Sequence, residues 1–298
     1  MNRVLAALSR NLFGFDRPDA PGERLFARAV EALVVLSCVD HVWKWAFYIE
    51  RLTDVVLPLG IANYVDVRFM YGNALPYALA AVVTALAAAG FARVARWPYL
   101  AAFALLHLQY AARDVFGEIS HSSNLVAMGL LGFALAAFAF GDERARRRFA
   151  LGFLLFFVGF EYSIAAVCKL AGTGITWPDG LHLWMWVTEK GIDTQAQFGA
   201  ADPNFFQRLL LSSRPLATVF LVGGLLTEAA GFLVWFRRTR TPALLAIAGL
   251  HAGIKVVMGI LFLHSTLLVL LLALGPYAAA WAERAWARRP RAVSGAPA

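Results

Sequence analysis

A chain of 298 residues in which 60% are hydrophobic and only 15% are charged has too little polar surface for an ordinary water-soluble domain. Its net charge of +8 does not suggest nucleic-acid binding, because the arginines fall in short clusters between apolar runs instead of along one stripe. Two cysteines, Cys38 and Cys168, both inside apolar runs, supply no disulfide framework, and the acidic residues Asp16, Asp19 and Glu23 exclude a cleavable signal at the start.

In chain order, residues 1–24 read as an amphipathic lead-in. The first apolar segment is 25–49, and a loop over 50–73 leads to the second, 74–94. The third is 98–116 and the fourth 124–140. A basic loop, GDERARRR, covers 141–148, and the fifth segment follows over 149–171. A long loop, 172–215, holds two aromatic or amphipathic pieces, 181–187 and 205–211. The sixth, seventh and eighth segments are 216–236, 242–262 and 264–281, and 284–298 is a basic tail. Segments of this length approach the roughly 20 residues that cross a ~30 Å hydrocarbon layer. The expected fold class is all-α: a polytopic integral membrane helical bundle of about eight transmembrane helices over 25–283, with interfacial helices in the outer loop.

The arginine and lysine distribution orients such a bundle. With both termini inside, the inner segments carry 18 basic residues, including Arg144, Arg146, Arg147, Arg148, Arg237, Arg238 and Arg240. The outer loops carry 6: Arg51, Arg68, Arg113, Lys190, Arg208 and Arg214. Positive charge accumulates on the cytoplasmic side. The expectation is therefore a multi-pass protein of a bacterial-type inner (plasma) membrane with both termini cytoplasmic.

Ionisable residues inside apolar segments are costly and call for a role. The first segment carries Asp40, His41 and Lys44, the fifth Glu161 and Lys169, the sixth Glu228 and the seventh His251 and Lys255. Asp40, Glu161, Glu228 and His251 count to mid-depth, and interhelical pairs such as Asp40–Lys44 and Glu228–Lys255 are one expectation for this buried polar network. Convergence of Glu161, Glu228 and His251 is another. His107, Asp114, Glu118 and His121 share one stripe if the third helix persists to His121. That stripe and Lys169 count to the outer end, where a cavity would make them functional. Trp177, Trp184 and Trp186 lie close by as an interfacial lid. Glu118 and His121 have the Glu-x-x-His spacing of di-iron bundles, but no second such motif accompanies them and no zinc spacing is present, so no metal is expected.

Several stretches, in order, resemble the HTTM membrane domain of the vitamin K-dependent gamma-carboxylase-like family. They are ERLFARAVEALVVLSCVDHVWKW, HSSNLVAMGLLGFAL, EYSIAAVCKLAGTGITWPDG, TEAAGFLVWF and GLHAGIKVVMGILF, together covering about residues 24–276. The resemblance implies that Lys169 is the base toward a vitamin K-like quinol, with His121, Asn124, Glu118 and Asp114 around it. Asn124 stands where the family has a histidine, and nothing in the chain corresponds to the carboxylases' lumenal domain. The function implied is therefore a membrane enzyme or maturation factor at the outer face, modifying a secreted peptide with a quinol, in contact with the bilayer and a peptide or redox partner, and with no nucleic acid. A transporter using the mid-depth charges, or a non-catalytic membrane subunit of a larger complex, is the alternative. Inverted repeats would favour the transporter, and none is evident.

Overall fold

The computed structural model describes residues 3–115 and 121–288. Their regular structure is helical, with no strand among the described residues. The helices are α1 (Arg3–Leu12), α2 (Glu23–Ile49), α3 (Leu75–Phe91), α4 (Pro98–Asp114), α5 (His121–Ala139), α6 (Glu143–Thr173), α7 (Gly180–Phe198), α8 (Phe205–Leu211), α9 (Arg214–Ala229), α10 (Arg240–Met258) and α11 (Leu263–Ala287). Four stretches are long and apolar enough to cross a membrane: Glu143–Thr176, Arg214–Trp235, Arg240–Met258 and Leu263–Ala287. Helix α2 has the length, 27 residues, but its charged side chains lower its hydropathy. Helices α3 and α4 have 17 residues each.

Helix α2 is central. Val30, Val34, Cys38 and Val42 recur every four residues and are fully buried, because a four-residue step returns to nearly the same helix face. That face packs against α3, α4, α5 and α11. The second half of the chain builds a further layer, in which α6 and α10 both pack on α9 and the turn after it, and α7 packs on α9.

Several boundaries differ from the sequence reading. The basic run 141–148 is mostly helix, not loop: Asp142 caps α6 by accepting the Ala145 N–H at 2.8 Å, so Arg144–Arg148 occupy its first turns. Arg148 then turns back onto the N-terminal segment, bonding Glu23 at 2.8 Å and the Pro18 carbonyl at 2.9 Å. Helix α7 runs to Phe198, far beyond the expected 187, with Asp179 as its N-cap. Its second half is polar and gives no hydropathy signal. The sixth segment is not one α-helix, because α9 ends at Ala229 and a 3-10 turn covers Ala230–Trp235. The cause is a close crossing with α6. A Cβ on Gly231 would lie 2.8 Å from Tyr162 Cβ, and the Phe232 N–H is diverted to Ser163 Oγ at 2.8 Å. Helix α4 ends at Asp114 and α5 begins at His121, so the expected stripe from His107 to His121 does not lie on one helix.

Candidate functional site: an ion pair at the wall of a large cavity

Helix α6 stops where Gly174 takes φ 76°, a left-handed backbone value that suits glycine. The following 3-10 turn, Gly174–Thr176, brings Trp177 back over the helix end. Its ring centre lies 4.8 Å from Lys169 Nζ, a cation–π contact. The same ammonium meets both carboxylate oxygens of Glu228 on α9. The Lys169 side chain is 30% exposed and that of Glu228 10%, so the pair is partly desolvated.

Lys169 and Glu228 line a cavity of about 940 Å³ between α6, α7, α9 and α10. Phe220, Leu221, Leu250, Ile254, Val257 and Phe262 make its apolar walls, and Trp177, Trp186, Arg113 and the Lys190–Asp193 pair also line it. A few polar groups converging on an apolar concavity of this size is the usual form of a small-molecule site.

Behind Phe262 runs a hydrogen-bond chain across three helices. The Thr266 hydroxyl donates to the Phe262 carbonyl at 2.7 Å. Its oxygen therefore accepts from His251 Nδ1–H at 2.8 Å. His251 Nε2 is left as the acceptor for the Tyr162 hydroxyl at 2.6 Å. In this arrangement Nδ1 faces the Thr266 hydroxyl and Nε2 the Tyr162 hydroxyl, so both ring nitrogens have a partner. The Phe262 ring packs on the imidazole at 5.3 Å, so this chain backs the cavity wall.

A second polar cluster joins α2 to α11. Asp40 Oδ2 takes Lys44 Nζ at 2.7 Å and His264 Nε2 at 3.1 Å. The His41 ring lies 4.4 Å from that of His264, and His41 Nδ1 donates to the Ser37 carbonyl at 2.6 Å.

The residues singled out from sequence are thus divided. The structure brings together Lys169, Glu228, Trp177 and Trp186. Trp184 is not at the cavity; its indole donates to the Leu210 carbonyl at 2.8 Å and ties α7 to α8. Asn124 lines a narrow crevice with Trp45, Leu106, His107 and Tyr110. Asp114 interacts with Tyr110, one turn back on α4. Glu118 and the His121 side chain lie outside the described residues. The Asp40–Lys44 pair forms, whereas Glu228–Lys255 does not: Lys255 bonds the Gly259 carbonyl at 2.9 Å and caps α10. Nor do Glu161, Glu228 and His251 share a contact. Glu228 goes to Lys169 and His251 to Tyr162, while Glu161 has no hydrogen bond or ion pair among the described residues. No group of three or more metal-ligating side chains occurs among the described residues.

Sequence reasoning did not single out Tyr162 and Thr266 for this region. Tyr162 was detectable, since it sits seven residues before Lys169 and so on the same face of α6. Glu31 was also passed over. It is 2% exposed and bonds Arg28 at 2.8 Å, Arg93 at 3.0 Å and the Tyr99 hydroxyl at 2.8 Å. Outside the apolar segments, Asp179 accepts from Arg214 Nε at 2.9 Å, and that guanidinium pulls the carboxyl down to about 2. Neither a family model, nor a curated protein, nor a solved structure matches the chain.

Proposed function

We propose that this chain is an integral membrane enzyme or maturation factor that acts at the outer face of a bacterial-type inner membrane. The bundle has eight spans with both termini cytoplasmic, and the cavity at Lys169 takes an amphipathic, aromatic-headed molecule of the quinol class. The observation that carries this reading is the Lys169–Glu228 pair set into the wall of a largely apolar cavity of about 940 Å³. The likeness of the EYSIAAVCKLAGTGITWPDG stretch to the gamma-carboxylase-like family points the same way, and the 18-to-6 split of basic residues supports the orientation.

The residues present fit such a molecule. Phe220, Leu250, Ile254 and Phe262 offer an apolar bed for a hydrocarbon tail, Trp177 and Trp186 a flat edge for an aryl ring, and the ion pair a place for a hydroxyl. A quinol, when bound, supplies two electrons and two protons. The chain's part is proton handling. Lys169 Nζ meets both Glu228 oxygens, so a proton taken from the bound molecule is handled by the two groups together. The base is therefore the pair as a unit and not Lys169 alone. The modified substrate is a secreted peptide or small molecule reaching the cavity from the side of α7.

Binding of a short-chain naphthoquinol, read by quenching of tryptophan fluorescence in purified protein, tests the reading. Saturable quenching that disappears in the Lys169→Met/Glu228→Gln double variant is expected. Equal quenching in the double variant sinks the assignment. Reporter fusions at Gly141 and Ala196 test the orientation, which fails if both report the same side.

A further inference from the structure

The end of the bundle that carries α1 is rich in arginine, and most of that charge is neutralised internally. Arg28 and Arg93 share Glu31, Arg144 and Arg147 share Asp19, and Arg148 holds Glu23. One corner differs. Arg240 donates only to backbone carbonyls, Asn11 at 2.9 Å and Val234 at 3.1 Å. Arg237 donates to the same Asn11 carbonyl at 3.3 Å and packs over Gly14. Arg17 is exposed and lies within electrostatic reach of both. Among the described residues, none of the three has a carboxylate at ion-pair distance. Burial lowers the Arg237 guanidinium below its usual range, with Arg17 and Arg148 as repelling neighbours that Asp16 and Glu23, beyond ion-pair distance, offset only in part. Guanidinium stays charged in proteins, so an external anion relieves the repulsion.

We infer that Arg17, Arg237 and Arg240 form a binding site for a phosphate-bearing anion, supplied by the headgroup of an anionic phospholipid. The planar donor forks of arginine match phosphate oxygens. The lipid source follows from what surrounds the charges. Phe236, 39% exposed, ends the apolar stretch just before Arg237, and Phe15, 42% exposed, stands two residues before Arg17. Helix α1 lies alongside with Leu12 buried, Leu5 58% exposed and Arg10 exposed, the pattern of a helix in the headgroup layer. Part-exposed aromatic rings within two residues of Arg17 and Arg237 suit a ligand that brings acyl chains with its phosphate. A dissolved phosphate has no use for them. This site is at the far end of the bundle from the Lys169 cavity and does not depend on the function proposed for it.

The test is native mass spectrometry of the full chain in detergent, titrated with phosphatidylglycerol, phosphatidylcholine or inorganic phosphate. Arg17→Gln removes an exposed side chain with no hydrogen bond of its own, so folding is not at stake. It is expected to weaken phosphatidylglycerol binding about fivefold, the effect of one basic residue at an anionic surface. Arg237→Gln should do at least as much, and Arg284→Gln, an equal loss of charge on α11, should do little. Phosphatidylcholine binding should not change. Equal effects of Arg17→Gln and Arg284→Gln, or equal binding of the two lipids, would overturn the site in favour of diffuse attraction. Protection by inorganic phosphate alone, with no preference for phosphatidylglycerol, would overturn the lipid as its source.

Discussion

Replacing Lys169 by Met keeps the apolar stem and removes the ammonium, but it also strands Glu228, whose side chain is 10% exposed. Removing one partner of a buried ion pair costs about 3–5 kcal/mol, whereas replacing both by neutral groups of similar volume is often near neutral. Because Lys169 keeps 30% of its side chain exposed, the low end applies. The single variant should lose about 3 kcal/mol, or about 6–12 °C of thermal midpoint in detergent. Glu228→Gln should lose less, because the ammonium left behind can reach water and the Trp177 ring. Lys169→Met/Glu228→Gln should recover most of the loss. The assay is a double-mutant cycle on unfolding midpoints, with coupling of more than about 1 kcal/mol expected for groups in contact. Strictly additive losses would mean that the two side chains do not meet, and the account of the cavity wall would fall with them. The cycle also bears on function, because the double variant separates lost chemistry from lost folding. A single Lys169→Met does not.

Three further outcomes are expected. Tyr162→Phe leaves His251 Nε2 without its donor and should cost about 1–3 kcal/mol, while Thr266→Val should cost a similar amount through Nδ1–H; thermal unfolding of each variant checks this, and no change in either refutes the chain. Gly159→Ala places a methyl 2.7 Å from Trp235 Cδ1 and should destabilise by about 1–3 kcal/mol, whereas Gly249→Ala meets open space and should be neutral or stabilise by up to about 1 kcal/mol, so a reversed order in their midpoints contradicts the packing of α6 on the turn 230–235. The Asp179 carboxyl is held at about 2 by Arg214, below its unfolded value of roughly 4. A depressed carboxyl stabilises above the unfolded value and loses its contribution as pH falls through the folded one. The join of α7 to α9 should therefore loosen between about pH 4 and pH 2, followed by hydrogen exchange of 180–187, and Asp179→Asn should abolish that pH dependence.

The amino-acid sequence alone determined that the chain is helical, with stretches apolar enough to cross a membrane. Hydropathy is a linear property, and a bilayer accepts few structures other than helices that satisfy their own backbone. It also placed Lys169 near the outer end of its segment with the Trp177–Trp186 stretch close by, because position along a helix and the glycines that end it are local features. The amphipathic piece expected at 205–211 coincides with helix α8, whose capping box joins Asn204 and Gln207, only three residues apart in sequence. What the sequence left open is which acid meets Lys169. Counting along each helix gives depth but not azimuth: it set Asp114 and Glu118 near Lys169 and paired Glu228 with Lys255. The crossing of α6 with the turn after α9, where Gly159 and Gly231 meet, sets Glu228 on α9 against Lys169 on α6. The same packing creates the Tyr162–His251–Thr266 chain, whose members are 89 and 15 residues apart in sequence. Long-range partners of this kind depend on how helices pair and rotate about their axes, and only the tertiary structure decides that.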